Sequence, residues 1–244
     1  MSSEMKQGHF GISVRGPLHQ QQQLTNQDAW LGRSSRLLRV IAVSDGLGSR
    51  PHSDHGAKAA CKAVIQAAKL WAMAQQAEPE MLPRLIILLW KLLLGSVPAK
   101  DCAATCLFAL YHADGRLLCG GLGDGLIYLQ SQQQNQPILE RDAGFGNETL
   151  ALGCPHKLDD WVLHQENLDK QAFQLLLATD GIADDLQPDK RSDFIQWLYQ
   201  DFAYLAADKR RRMLQKELNN WPVPHHLDDK TLALLWQCED ENNG

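Results

Sequence analysis

The chain has 244 residues, 44% of them hydrophobic and 22% charged, with 24 Lys and Arg against 29 Asp and Glu. A domain of this size buries roughly 70–75% of its unfolded surface, so a full core needs no disulfide staples. The net charge of −5 argues against nucleic acid as a partner, because that affinity rests on Lys and Arg neutralising phosphates. It is compatible with a cation site built from carboxylates.

The opening residues, MSSEMKQGHF, are polar and lack the apolar stretch of a secretion signal. A first strand is expected over His9–Val14, then a solvated loop at the glutamine cluster Gln20–Gln23, then strands Ala29–Arg33 and Leu37–Ser44. Ser53 or Asp54 can cap a helix whose Ala60, Val64, Ala67, Ala68 and Trp71 recur at helical spacing. A second helix, from about Pro79 to Leu94, is apolar nearly all round and is expected to be buried against the first helix or a sheet. Its greasiest stretch, Leu85–Leu94, is interrupted by Lys91 and is well short of the ~20 residues that span a bilayer.

Further strands are expected at Ala103–His112, Arg116–Gly121, Leu126–Gln130, Trp161–Glu166, Phe173–Thr179 and Thr231–Gln237. Gln132–Gln136 reads as a second solvated loop. A helical region covers Asp189–Leu218, with the basic run Lys209–Arg212 as a solvated face. Pro and Gly are scattered, so no linker divides the chain, and residues 1–244 are expected to form a single domain with a core at about 9–237. Many strands with inserted helices predict an α+β fold of two packed antiparallel sheets flanked by helices. Cys61, Cys102, Cys106, Cys119, Cys154 and Cys238 form no C-x-x-C pair and no zinc-like group. They read as reduced core thiols of a soluble cytoplasmic protein, with Cys102 and Cys106 on one face of a strand.

Asp-Gly is first of all a turn signal. Asp114-Gly115 joins two apolar runs, and a tight hairpin explains it fully. Asp45-Gly46 differs, because RVIAVS leads into it and no second strand follows at once. Asp180-Gly181 repeats that layout after FQLLLAT, with Asp184 and Asp185 beyond. Asp228-Asp229 immediately precedes a strand, as does Asp28. Four carboxylates, Asp28, Asp45, Asp180 and Asp228, therefore sit at ends of strands that could lie side by side. Clustered carboxylates repel unless they are protonated or hold a cation. Oxygen-only sets suit Mg²⁺ or Mn²⁺. On spacing alone, ordinary strand-end turns remain the stronger reading.

These residues resemble the metal-dependent protein serine/threonine phosphatases of the protein phosphatase 2C type, in particular the bacterial ones. The matching segments run in order: Asn26-Gln27-Asp28, then Val43 to Gly48, Ala103-Ala104-Thr105, Gly123-Asp124-Gly125, Asn147–Gly153, Ala178 to Asp184, and Asp228 to Thr231. Together they cover roughly His9 to Gln237. The resemblance implies a four-layer αββα sandwich with a metal centre at one end. It implies that Asp45 bridges two Mg²⁺ or Mn²⁺ ions, with the Gly46 carbonyl on one and Asp180 and Asp228 on the other. Asp28 would hold a metal-bound water. Asp124, Asp180 and Asp184 match a weaker third metal position. Asp28, Asp45 and Asp180 are thus the expected catalytic set. The chemistry implied is in-line attack by a metal-bridging water on phosphoserine or phosphothreonine in proteins.

Three positions depart from the family pattern. Gln23 stands where an Arg usually grips the substrate phosphate, and an amide lacks the charge and the fork of a guanidinium. Arg50 and His19 are the candidate substitutes, beside Gln23 itself. Leu47 stands where some relatives carry a His acid, and Gly125 where a Ser is usual. The metal ligands themselves are all retained. The expected partners are phosphorylated proteins, with an opposing serine/threonine kinase, and the expected state is a monomer away from membranes. The alternative function is a phosphatase-like module that recognises a phosphoprotein without turnover.

Overall fold

The computed structural model describes residues 5–74, 77–140, 150–223 and 226–239. The apolar runs dictate the layering. In strand β3 (Leu38–Ser44), Val40 and Ala42 face one way and Ile41 and Val43 the other, and all four are buried. In β10 (Lys230–Glu239), Leu232, Leu234 and Trp236 occupy one face, and Ala233 and Leu235 the opposite one. Side chains alternate along a strand, so a strand apolar on both faces needs a layer on each side.

The remaining elements supply those layers. In chain order they are β1 (Met5–Val14), α1 (Pro17–Gln21), β2 (Ala29–Ser34), α2 (Ser53–Met73) and α3 (Met81–Leu94). Then come β4 (Cys106–His112), β5 (Arg116–Leu122), β6 (Leu126–Ser131), β7 (Asn135–Leu139), β8 (Val162–Asn167) and β9 (Phe173–Ala178). Short α4 (Asp180–Ala183), α5 (Arg191–Phe202) and α6 (Ala207–Asn219) precede β10. Among the described residues, one antiparallel sheet has the order β1-β10-β9-β6-β7 and the other β2-β3-β4-β5-β8. The α2/α3 pair covers the second sheet, α5 and α6 cover the first, and a third apolar layer lies between the sheets. This is the αββα sandwich expected from the sequence.

Register brings the site together. Ala29 pairs with Ser44, and Ala178 pairs with both Leu232 and Leu126. The segments just outside these pairs carry Asp28, Asp45, Asp180, Asp228 and Asp124, all at the same end of the two sheets.

Several local expectations need correction. Gln132–Gln136 is not all loop, because Asn135 and Gln136 open β7, a strand on the sheet edge. Its polar residues and Pro137 hid it, and edge strands tolerate both. Gln20 and Gln21 end the short helix α1 rather than lying in a loop. Helix α2 begins at Ser53 behind His52, with no side-chain cap from Ser53 or Asp54. Helix α3 does pack Leu82, Ile86 and Trp90 against α2 as expected, while Leu88 and Leu92 on its outer face stay exposed.

The helical region 189–218 is two helices, and Arg210 closes the break by donating to the carbonyls of Phe202, Ala203 and Leu205. Cys102 ends a 3₁₀ turn (Ala99–Cys102) and does not share a strand with Cys106. All six cysteines are free thiols, with Cys61, Cys102, Cys106 and Cys119 buried. Burial pushes the Cys106 thiol up to about 12, and those of Cys61 and Cys119 are raised as well. No helix among the described residues is long and apolar enough to cross a membrane.

Candidate metal centre

Strand β3 delivers Asp45 to the sheet end, where the Thr105 segment fixes it. Ser44 Oγ donates to the Thr105 carbonyl at 2.5 Å. The Thr105 amide donates to the Asp45 carbonyl at 2.8 Å, and the Asp45 amide donates to Thr105 Oγ1 at 2.9 Å. Gly46 bridges to Ala104, which bridges in turn to Leu152. A Cβ on Gly46 would lie 2.6 Å from the Ser53 carbonyl oxygen, so the close pass of this loop against α2 needs glycine.

Asp28 enters from the other side of the same sheet end. Its amide donates to Asn26 Oδ1 at 2.9 Å, and Asn26 in turn donates to Ser13 Oγ at 2.8 Å. Thr179 Oγ1 donates to Asp28 Oδ2 at 2.8 Å, and Asp28 also shares a side-chain hydrogen bond with Asp45. Asp180 opens α4, directly after Thr179, whose amide donates to the Thr231 carbonyl at 3.0 Å. Gly181 is forced as well, since a Cβ there would come within 1.8 Å of the Asp229 carbonyl oxygen. Asp124 sits in the β5–β6 turn between Gly123 at φ 100° and Gly125 at φ 130°. At such positive φ values glycine fits without the strain a side chain would bring.

The pair at the start of β10 divides its labour, which the sequence did not disclose. Asp228 Oδ1 accepts from the Asp229 amide at 2.8 Å. Asp229 is buried and accepts from the amides of Gly16 and Gln27, both at 2.7 Å, and it pairs with His19 Nδ1 at 2.9 Å. Asp229 therefore staples the Gly16 and Gln27 segments to β10. His19 is engaged there, which leaves it poorly placed as the substitute for the missing Arg. Gln23 is exposed, with φ 57°. Arg50 is half-buried, and its buried Nε finds no hydrogen-bond partner among the described residues. Of the expected loop Asn147–Gly153, positions 147–149 lie outside the described residues.

The electrostatics are those of gathered like charges. Burial, then the negative charges of Asp28 and Asp180, holds the Asp45 carboxyl well above the usual range. Asp28 is pushed up to about 7, mainly by burial, although hydrogen bonds from Asp45, Thr179 and Thr231 oppose the shift. Asp180 rises to about 6 through burial and the charges of Asp228, Asp184 and Asp124. Asp45 thus lies within electrostatic reach of Asp28, Asp180 and Asp228, and Asp180 within reach of Asp228, Asp184 and Asp124. Among the described residues, no three His, Cys, Asp or Glu side chains close into a finished chelate. The donor set is nevertheless all oxygen, which fits a hard divalent cation.

The comparisons bear on the family and the fold. A family model described as protein phosphatase 2C matches residues 15–221. No curated protein matches the chain by sequence. Among solved structures, RsbX in complex with magnesium shares 15% identity at a TM-score of 0.62, covering 97% of this chain and 100% of that one. The catalytic domain of the serine threonine protein phosphatase PstP, in complex with two manganese ions, shares 16% identity at a TM-score of 0.62, covering 97% and 100%. The serine/threonine phosphatase of S. agalactiae shares 16% identity at a TM-score of 0.64, covering 95% and 99%. At such identities these structures speak for the fold, while the family model spans most of the sequence. The chain belongs to the protein phosphatase 2C family.

Proposed function

We propose that this protein is a Mg²⁺- or Mn²⁺-dependent phosphatase acting on phosphoserine and phosphothreonine in proteins, with residues 1–244 working as one catalytic domain. The observation that carries the reading is the concentration of carboxylates with raised proton affinity, Asp45 foremost, at one end of the sandwich. Buried like charges are unfavourable unless a cation or a proton offsets them. Perturbed groups of this kind cluster at functional sites.

Asp45, the Gly46 carbonyl, Asp180 and Asp228 would hold two divalent ions, and Asp124 and Asp184 would complete a third position. Bound there, the ions supply an activated water and neutralise charge on the phosphoryl oxygens. The chain's own part is orientation. Thr179 and the Asn26 side chain hold Asp28 in place, and the Thr105 ladder fixes Asp45. Arg50, with its unpartnered Nε, would grip the substrate phosphate in place of the Arg that Gln23 lacks. Leu47 supplies no acid for the leaving group, so aryl phosphates should be hydrolysed more readily than alkyl esters.

Phosphate release from a phosphothreonine peptide, measured with Mn²⁺ and with EDTA, tests the proposal. Release that requires the metal supports it. A second reading, recognition of a phosphoprotein without turnover, is favoured by the exposed amide of Gln23. Tight peptide binding with no release under either condition would select that reading.

A further inference from the structure

Lys230 opens β10 and is only 3% exposed. Alternation along β10 places it with Leu232 and Leu234, on the face covered by α5 and α6, away from the gap between the sheets. Its Nζ donates to the Asp228 carbonyl at 3.1 Å. An ammonium carries three donors, and burial without partners for them is costly.

The side chain borders a cavity of about 240 Å³. Arg15, Gln20, Asn219, Trp221 and His226 also line it, and among the described residues no Asp or Glu does. Asp185, Asp228, Asp229 and Asp28 lie within electrostatic reach of the Lys230 ammonium, and two of them are engaged with other groups. Asp185 Oδ2 accepts from Trp221 Nε1 at 2.6 Å and pairs with His226 Nδ1 at 2.5 Å. Asp229 is engaged by Gly16, Gln27 and His19. Arg15 donates one bond, to the Leu24 carbonyl at 3.1 Å, and so retains further donors at the mouth. Two side-chain cations, Lys230 and Arg15, border a hollow whose described lining carries no carboxylate, the acids that face Lys230 lying outside that lining.

We propose that this cavity is an oxyanion site, separate from the metal centre, in which the Lys230 ammonium and the Arg15 guanidinium take a phosphate group. The shared chemistry is a tetrahedral phosphate, either free or carried on a side chain of a bound protein. Lys230 touches both the cavity and the main chain of Asp228, so an occupant would be felt one peptide away from the acidic cluster. The inference does not depend on turnover and goes beyond the catalytic proposal.

Thermal unfolding in EDTA tests it, since chelation removes any phosphate binding that needs a metal. Inorganic phosphate should raise the wild-type midpoint by about 3 °C over potassium chloride of equal ionic strength. Lys230→Met, an apolar chain of similar length in a buried position, should lose that rise. Arg15→Ala, at an exposed position that cannot prevent folding, should reduce it. No rise in the wild type, or an equal rise in all three proteins, would overturn the site and leave Lys230 as a counter-charge to its acidic neighbours. That result would not touch the phosphatase reading, which the release assay decides separately. A peptide carrying two phosphates, titrated beside one carrying a single phosphate in the same buffer, distinguishes the sources. Tighter binding of the former that Lys230→Met abolishes assigns the phosphate to a protein ligand. Equal binding of the two, with the inorganic phosphate shift intact, assigns it to free phosphate.

Discussion

The hydroxyl of Thr179 donates to the carboxylate of Asp28 at 2.8 Å, joining the end of β9 in one sheet to the residue before β2 in the other. The same oxygen accepts from the Thr231 amide at 3.2 Å. One side chain thus ties three segments of the acidic cluster together. Thr179→Val keeps the shape and removes both bonds, leaving a buried carboxylate and a buried amide short of a partner. Its cost should be about 1–3 kcal/mol in urea denaturation. A loss below about 0.3 kcal/mol would show that the bond contributes nothing to the fold.

Asp28 and Asp180 bind protons more tightly in the folded protein than a free carboxylate does, near pH 7 and pH 6 against 3.8. Below pH 3.8 both states are protonated and the difference vanishes. Above it the unfolded chain ionises first, so metal-free stability should fall as pH rises towards 7, by up to about 1.4 kcal/mol per pH unit for each proton retained only by the fold. A divalent cation removes this penalty, so Mn²⁺ should raise the unfolding midpoint more at pH 8 than at pH 5. Denaturation curves at the two pH values, with metal and with EDTA, decide the point; equal metal effects would contradict it.

Gly181→Ala should be severe, because the added methyl meets the Asp229 carbonyl at 1.8 Å and neither backbone can yield easily. A loss of roughly 3 kcal/mol or more is expected, in the upper range for single substitutions. Isothermal calorimetry should also show weaker Mn²⁺ binding, since Asp180 precedes the displaced residue. Wild-type stability in this variant would mean that the close approach is not real.

Arg50→Ala tests the phosphate grip. KM for a phosphothreonine peptide should rise about tenfold or more, with a smaller change in kcat, as expected for the loss of a charge-assisted bond to the substrate. An unchanged KM would return Arg50 to the role of a surface residue.

The layering, and the gathering of the carboxylates at one sheet end, were legible in the sequence because they follow from two strong signals. Apolar runs such as RVIAVS and FQLLLAT end in Asp, and the two-residue period of a strand places each Asp at a sheet end. What escaped was decided by tertiary contact. Strand β7 is polar and holds Pro137, so only its position on the sheet edge permits it. The roles within Asp228-Asp229 depend on Gly16 and Gln27, which lie 213 and 202 residues before Asp229 in the chain. The sequence shows two adjacent acids but not that Asp229 is the buried one, which therefore has to find donors. Lys230 gave no warning at all, because a lysine beside acids reads as an exposed counter-charge until its burial is known.

The central claim is that the Asp45–Asp180 end of the sandwich binds divalent metal and hydrolyses phosphate esters with it. Phosphate release from a phosphothreonine peptide in Mn²⁺ should be lost by at least about a hundredfold in both Asp45→Asn and Asp180→Asn. Each variant should remain folded by circular dichroism. Release that persists in both folded variants, or that EDTA leaves unchanged in the wild type, would contradict the claim.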